Sequence, residues 1–322
     1  MDDEFPILPF RSTLYTPKEL FAGFSVDDPA SYATTPDLRA FRSTRLVPTR
    51  DIGMLRALHD QSMTEARDDL LVGKQVVAIM GGHEMARDDD AYRQVARLAA
   101  ALSRNGFLVV SGGGPGAMEA THLGALLAAE ADADLDVAID HLAAAHPRFP
   151  PGMSELVAPG GVIDVSLLAD LHAWQVPVFE VLETVPDGAR GMSLAVPTWF
   201  YGHEPPTPFA THIAKYFSNP LRKDGLLAIA SDGVVYAPGA AGTLQEVFQD
   251  AAQNYYRTFH ARFSPMVFLD LHHHWSSRYR VSPLLRELFG PELFEAHVCL
   301  TPSVAEVVEF LSTDRLPPGT SA

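Results

Sequence analysis

Twice in this chain a short β-branched apolar run breaks directly into a glycine-rich turn and then into a helical pattern, and that arrangement narrows the possible folds sharply. The first case is Phe107-Leu108-Val109-Val110, then Ser111-Gly112-Gly113-Gly114-Pro115-Gly116, then a helix from Met118 to Glu130. The second is Gly233-Val234-Val235-Tyr236-Ala237, then Pro238-Gly239-Ala240-Ala241-Gly242-Thr243, then a helix from Leu244 to about Tyr256. Short runs with no polar alternation suit strands buried on both faces, and such strands belong to parallel sheets whose crossovers are helices. Gln75–Met80 is a third run of this kind, ending in Gly81-Gly82. It is followed by helical spacing over Tyr92–Arg104, with Asn105-Gly106 as the stop signal. Ser193–Pro197 returns the chain to the sheet, and Pro265–Leu269 adds a further buried strand. The pattern predicts an α/β fold: a Rossmann-like, doubly wound parallel sheet with helices on both faces.

Residues 1–70 lack sustained periodicity until a helix over Asp51–Leu71, and they read as an N-terminal extension on a nucleotide-binding domain spanning 71–322. Within that domain, about 131–191 reads as a helical insertion flanked by loops, acidic and alanine-rich first and Pro/Gly-rich in the middle. Two more helices are expected near Pro283–Leu288 and Ser303–Leu311, before a Pro/Gly/Ser tail. Hydrophobic residues make up 47% of the 322 positions, so a core can form without staples. The 24 Lys and Arg against 40 Asp and Glu leave a net charge of −16, a field that opposes a nucleic-acid backbone. No apolar run reaches the roughly 18 residues of a membrane span. The start, Met1-Asp2-Asp3-Glu4-Phe5, is acidic where a secretory leader is basic, and Cys299 is the sole cysteine. These features predict a soluble, cytoplasmic protein with neither nucleic-acid nor membrane partners.

Glycine turns between strand and helix leave backbone N–H groups unpaired at the positive end of the helix dipole, where an anion is favoured. Two of them after neighbouring parallel strands would open at one carboxyl edge of the sheet and hold a small phosphorylated ligand there. Gly112, Gly113, Gly114, Gly116, Met118, Gly239, Ala240, Gly242 and Thr243 are the candidate ligand-binding residues. Each helix carries an early acid, Glu119 or Glu246. Glu246 follows Thr243 by three positions and has two readings. It completes a capping box with the threonine, or it stands beside the anion site and faces a sugar, as carboxylates do in glycoside hydrolysis.

Gly112-Gly113-Gly114-Pro115-Gly116-Ala117-Met118-Glu119-Ala120 and Pro238-Gly239-Ala240-Ala241-Gly242-Thr243-Leu244-Gln245-Glu246 resemble the GGGxxGxM and PGGxGTxxE motifs of the LOG (Lonely Guy) family, formerly labelled lysine decarboxylases. The first motif, together with Glu204-Pro205-Pro206-Thr207-Pro208, is most similar to the longer bacterial pyrimidine/purine nucleotide 5′-monophosphate nucleosidases. The resemblance spans about 75–312. It implies a phosphoribohydrolase that cleaves the N-glycosidic bond of a nucleoside monophosphate with no cofactor and no metal, working as a homodimer or larger homo-oligomer. The family's catalytic pair would be Glu246 and an arginine, carried over to Arg222; an ungapped count falls instead on Lys223. Glu119 is a secondary candidate for ribose contact. This sequence departs from the motif at Ala240, where a glycine is expected and where a positive φ would strain an alanine. The competing expectation is a carrier or sensor of the same fold that binds a nucleotide without turnover.

Other features yield no site. His272-His273-His274 reads as a solvated turn, because adjacent residues on a regular element do not converge on one metal and no carboxylate stands at ligand spacing. His203 and His212 flank Glu204–Pro208 and read as structural hydrogen-bonders. Phe200-Tyr201 and Tyr255-Tyr256 read as core or subunit packing, and Glu130–Asp140 as a solvated helix face.

Overall fold

The computed structural model describes residues 5–200, 202–259 and 263–313. In chain order the elements begin with α1 (Pro17–Leu20), α2 (Pro36–Thr44) and α3 (Arg50–Leu71), followed by β1 (Val76–Met80), α4 (Asp90–Arg104), β2 (Leu108–Ser111) and α5 (Ala117–Leu126). Two helices, α6 (Asp132–Ala145) and α7 (Val165–Thr184), precede β3 (Ser193–Ala195), β4 (His212–Ile213), α8 (Asn219–Ala228) and β5 (Gly233–Tyr236). The chain then runs through α9 (Ala241–Tyr256), β6 (Met266–Leu269), α10 (Ser282–Phe289), α11 (Pro291–His297), β7 (Val298–Thr301) and α12 (Val304–Ser312). Among the described residues the strands form one seven-stranded parallel sheet in the order β4-β3-β2-β1-β5-β6-β7. The predicted Rossmann-like α/β class is what the chain adopts.

The strands are continuous apolar runs because both faces are covered. Along β1, Val76, Ala78 and Met80 enter one core, while Val77 and Ile79 enter the other, as the two-residue period of a strand requires. The second core is closed by α4, α5, α6 and α12. The first is closed largely by the N-terminal segment, whose Leu20, Tyr32, Phe41 and Met63 are all buried against the sheet side chains. At the β4 edge, Tyr15 exchanges backbone hydrogen bonds with Ile213 at 3.0 and 2.9 Å, so the edge strand has a partner.

Three buried acids fasten the N-terminal segment and α9. Asp37 of α2 accepts hydrogen bonds from Lys215 Nζ at 2.7 Å and from the Trp199 indole at 2.9 Å, with no solvent on either charged group. Asp60 of α3 accepts from the backbone N–H groups of Phe217 and Ser218 at 2.9 and 2.8 Å, which places the N-cap of α8. Asp250 of α9 accepts from the Tyr236 hydroxyl at 2.7 Å. Burial pushes the Asp250 carboxyl up to about 7, the tyrosine hydrogen bond pulling the other way.

Several boundaries move. β4, α8 and β7 lack a sequence signal: β4 has two residues, and of α8 only Leu226 and Leu227 are buried. The acidic run from Glu130 is largely exposed, as expected of a solvated face, and is also tied to α4. Asp132 pairs with Arg104, Asp136 with both Arg93 and Arg97, and Asp140 with Arg93, all three arginines on α4. Tyr255 and Tyr256 are exposed, edge-to-face with each other, and no part of the core; Phe200 is exposed too, and Tyr201 lies outside the described residues.

Asp37→Ala strands the Lys215 ammonium in the core and is expected to lower unfolding free energy in urea by about 3–5 kcal/mol, with Asp37→Leu/Lys215→Met regaining most of it. Asp250 has a folded pKa raised above its ordinary 3.8. Its contribution to stability is therefore full below that value and is lost as pH rises through about 7. Asp250→Asn is expected to flatten the fall in unfolding free energy across that window.

Candidate functional site

The strand order reverses at β1, which has β2 on one side and β5 on the other. The two glycine turns therefore follow strands that flank β1 rather than neighbouring strands, and the turn after β1 lies between them. Hydrogen bonds lace the three turns together: Gly82 N–H donates to the Pro238 carbonyl at 3.0 Å, and Ala117 N–H donates to the Gly82 carbonyl at 3.1 Å. Gly116, at φ 71°, is the crossing point. A Cβ there would stand 2.5 Å from the Gly82 oxygen, so glycine is required for the backbones to meet.

A cleft of about 760 Å³ opens over these turns at the carboxyl edge of the sheet, where α/β proteins bind ligands. Gly112, Gly114 and Met118 line it from the first motif, and Gly239, Ala240, Gly242, Thr243 and Glu246 from the second. Arg222 and Lys223 both reach it from α8. Arg222 Nε donates to the Val196 carbonyl at 2.8 Å, and its guanidinium lies against Gly112 so closely that a Cβ there would overlap Nη2. That contact is why the first turn needs its leading glycine. Lys223 donates to Gln245 Oε1 at 2.8 Å on the helix surface. Arg222 is thus anchored to the backbone inside the cleft, whereas Lys223 is tied to a side chain at its surface.

The second turn is shorter than its sequence reads. Ala241, Gly242 and Thr243 form the first turn of α9, and Ala240 is its N-cap. Ala240 adopts φ −121°, so the positive φ that would strain an alanine is not required at this departure from the motif. The opening N–H groups of a 16-residue helix point at the cleft with the dipole behind them. No side chain caps this helix, so the capping box expected of Thr243 and Glu246 does not form. Thr243 is buried beneath Gly239, and Glu246 is half-buried in the cleft wall. Burial raises the Glu246 carboxyl above its ordinary value, opposed by Arg222 and then Lys223.

Three of the expected ligand residues take other positions. Glu119 is buried, its two oxygens accepting from Arg87 Nε and Nη2 at 3.0 and 2.6 Å, and it does not line the cleft. The pair stacks under Trp174, with the guanidinium carbon 4.1 Å from the ring centroid. Gly113 and Gly116 pack on Ala195 and on the β1 turn and serve the backbone.

Sequence reasoning missed the turn after β1, where Gly81, Gly82, His83, Glu84 and Met85 all line the cleft, although Gly81-Gly82 was its visible signal. It also missed Glu204, which lies 3.2 Å from where a Gly114 Cβ would sit, and His272, His274 and Arg278 beyond β6. His203 is buried against Tyr32 with its hydroxyl 3.1 Å away, and His212 lies on β4, neither in the cleft. The three histidines are no simple solvated turn. His272 and His273 both have left-handed backbones, and His274 Nε2 accepts the Gly239 N–H at 3.1 Å. Among the described residues no cluster of three or more His, Cys, Asp or Glu could hold a metal, and no helix is long and apolar enough to cross a membrane.

No protein-family model matches the chain, and no curated protein does. Among solved structures it is similar to the molybdenum cofactor binding protein of the phototrophic bacterium Rippkaea orientalis, at 16% identity over 74% of this chain and 95% of that one, with a TM-score of 0.40. It is also similar to the molybdenum cofactor carrier protein of Chlamydomonas reinhardtii, at 12% identity over 74% of this chain and 99% of that one, with a TM-score of 0.36. Likenesses this distant identify no function, and the chain's chemistry has to be read from its own cleft.

Proposed function

We propose that the chain is a nucleoside 5′-monophosphate phosphoribohydrolase of the LOG type. The observation that carries this reading is the convergence of Arg222 and Glu246 in one cleft between two glycine turns, where the Arg222 charge favours the ionised Glu246 carboxylate. The helix N-terminus at Ala241–Thr243 and the Arg222 guanidinium hold the phosphate, a fork of donors matching an oxyanion in a way lysine cannot. Glu246 faces the ribose. Water attacks the anomeric carbon as the base departs with the bonding pair and a proton, giving free base and ribose 5-phosphate. The Glu246 carboxylate stabilises the positive charge that develops at that carbon.

A second reading, a carrier or sensor without turnover, is favoured by the size of the cleft. At about 760 Å³ it lies well up the range of small-molecule sites, roughly 300–1,000 Å³. It leaves room beyond a nucleoside monophosphate.

Chromatography of AMP, GMP, IMP, CMP and UMP after incubation is expected to show free base with the wild type and about a 10²- to 10⁴-fold loss with Glu246→Ala. No release from any of the five by the wild type rejects the hydrolase, and a nucleotide-dependent rise in Tm would then leave a nucleotide-binding protein without turnover. The acid limb of the wild-type pH–rate profile is expected above the ordinary carboxylate range, because Glu246 must be ionised and burial raises it. Lys223→Gln removes a charge that favours the ionised form, so the limb should move to still higher pH; an unmoved limb assigns it to another group.

A further inference from the structure

The second glycine turn presents one N–H that is already taken. Gly239 donates to His274 Nε2 at 3.1 Å, so the imidazole is neutral at that nitrogen and occupies a position a ligand oxygen would fill. The histidine is held there by an unusual backbone. His272 and His273 adopt φ 52° and 57°, and the following turn is anchored where Asp270 Oδ1 accepts from the N–H groups of Trp275 and Ser276 at 2.6 and 3.0 Å. Two consecutive non-glycine residues in the left-handed region cost stability, and strain of this kind collects at functional sites. The His274 ring meets Trp275 and Tyr279 edge-on, with centroids 4.8 and 5.1 Å away.

We propose that His274 couples oxyanion binding in the second glycine turn to the uptake of one proton. In the free protein the neutral imidazole competes for the Gly239 N–H. Once protonated it can no longer accept, so that N–H is released, and the imidazolium itself becomes a donor to the anion. The inference rests on the reading of this turn as an oxyanion site and adds its proton linkage.

The surrounding charges are mixed. On its own turn, Arg278 opposes protonation of His274 and Asp270 favours it, with His272, His273 and the Tyr279 hydroxyl alongside. Across the cleft stand Arg222 and Lys223 of α8, Glu246 of α9, Glu204, and His83, Glu84 and Asp89 near the β1 turn. Burial, followed by Arg278, holds the His274 pKa below its ordinary value in the empty site. An anion beside it reverses that preference. Affinity should therefore rise as pH falls through the interval between the bound and the free pKa.

Inorganic sulfate tests this, because its own charge is constant over the range used. Isothermal titration at pH 8.5 and pH 6 is expected to show wild-type affinity rising by about tenfold, one unit of linkage, on acidification. His274→Gln keeps an acceptor near the same place but does not titrate. It should show only the smaller rise due to the falling net negative charge of the protein. His274→Ala leaves the Gly239 N–H unclaimed and should bind sulfate more tightly than the wild type at pH 8.5. Equal pH dependence in wild type and His274→Gln overturns the assignment while leaving the anion site standing. Failure of all three proteins to bind sulfate at either pH removes the anion site itself, and the inference with it.

Discussion

The backbone lacing of three turns around β1 is the constraint on which the site depends. Gly82 is bonded on one side to Pro238 and on the other to Ala117, so the turn after β1 acts as a keystone between the two glycine turns. The glycine at 116 allows that approach, and the one at 112 leaves room for the Arg222 guanidinium. Each glycine is thus spent on a contact inside the protein, and the cleft surface they share follows from those contacts. A parallel sheet that reverses its winding at β1 leaves this gap open, since the crossovers on its two sides turn away from each other.

The N-terminal segment belongs to the same economy of position. Asp60 fixes the start of α8 through two backbone N–H groups, and Asp37 holds Lys215 a few residues earlier. Between them they set the strand-to-helix path that ends in Arg222. The cation at the heart of the site is therefore aimed by acids from the first 60 residues, far from it in sequence. Burying three carboxylates among apolar side chains is costly unless each is paired, and each is paired.

Much of this was readable in the chain, and the reasons for the rest are specific. β1, β2, β5 and β6 were legible because strands buried on both faces must be continuous apolar runs. β4 was not, since two residues make no pattern, and its position depends on Tyr15 arriving from nearly 200 residues upstream. Glu246 was legible from its spacing to Thr243, whereas Arg222 was reached only through the family resemblance, an ungapped count falling instead on Lys223. Glu119 was misjudged because its partner, Arg87, sits 32 residues away and only the fold brings them together. The histidines were misread for a different reason. The expectation assumed a regular helix or strand, whereas two left-handed residues turn His274 back toward the glycine turn. At Ala240 the left-handed backbone that would have strained an alanine is not adopted.

The separation of β2 from β5 by a single strand also sets a length scale. Neighbouring strands stand close to 4.8 Å apart, so β2 and β5 themselves run roughly 10 Å from each other. That gap cannot be adjusted by rotamers, because it is a property of the hydrogen-bonded backbone. A ligand that reaches from the end of one of these strands to the end of the other must bridge that distance with its own framework. The sheet therefore acts as a gauge, sorting candidate ligands by reach before any side chain has judged their chemistry.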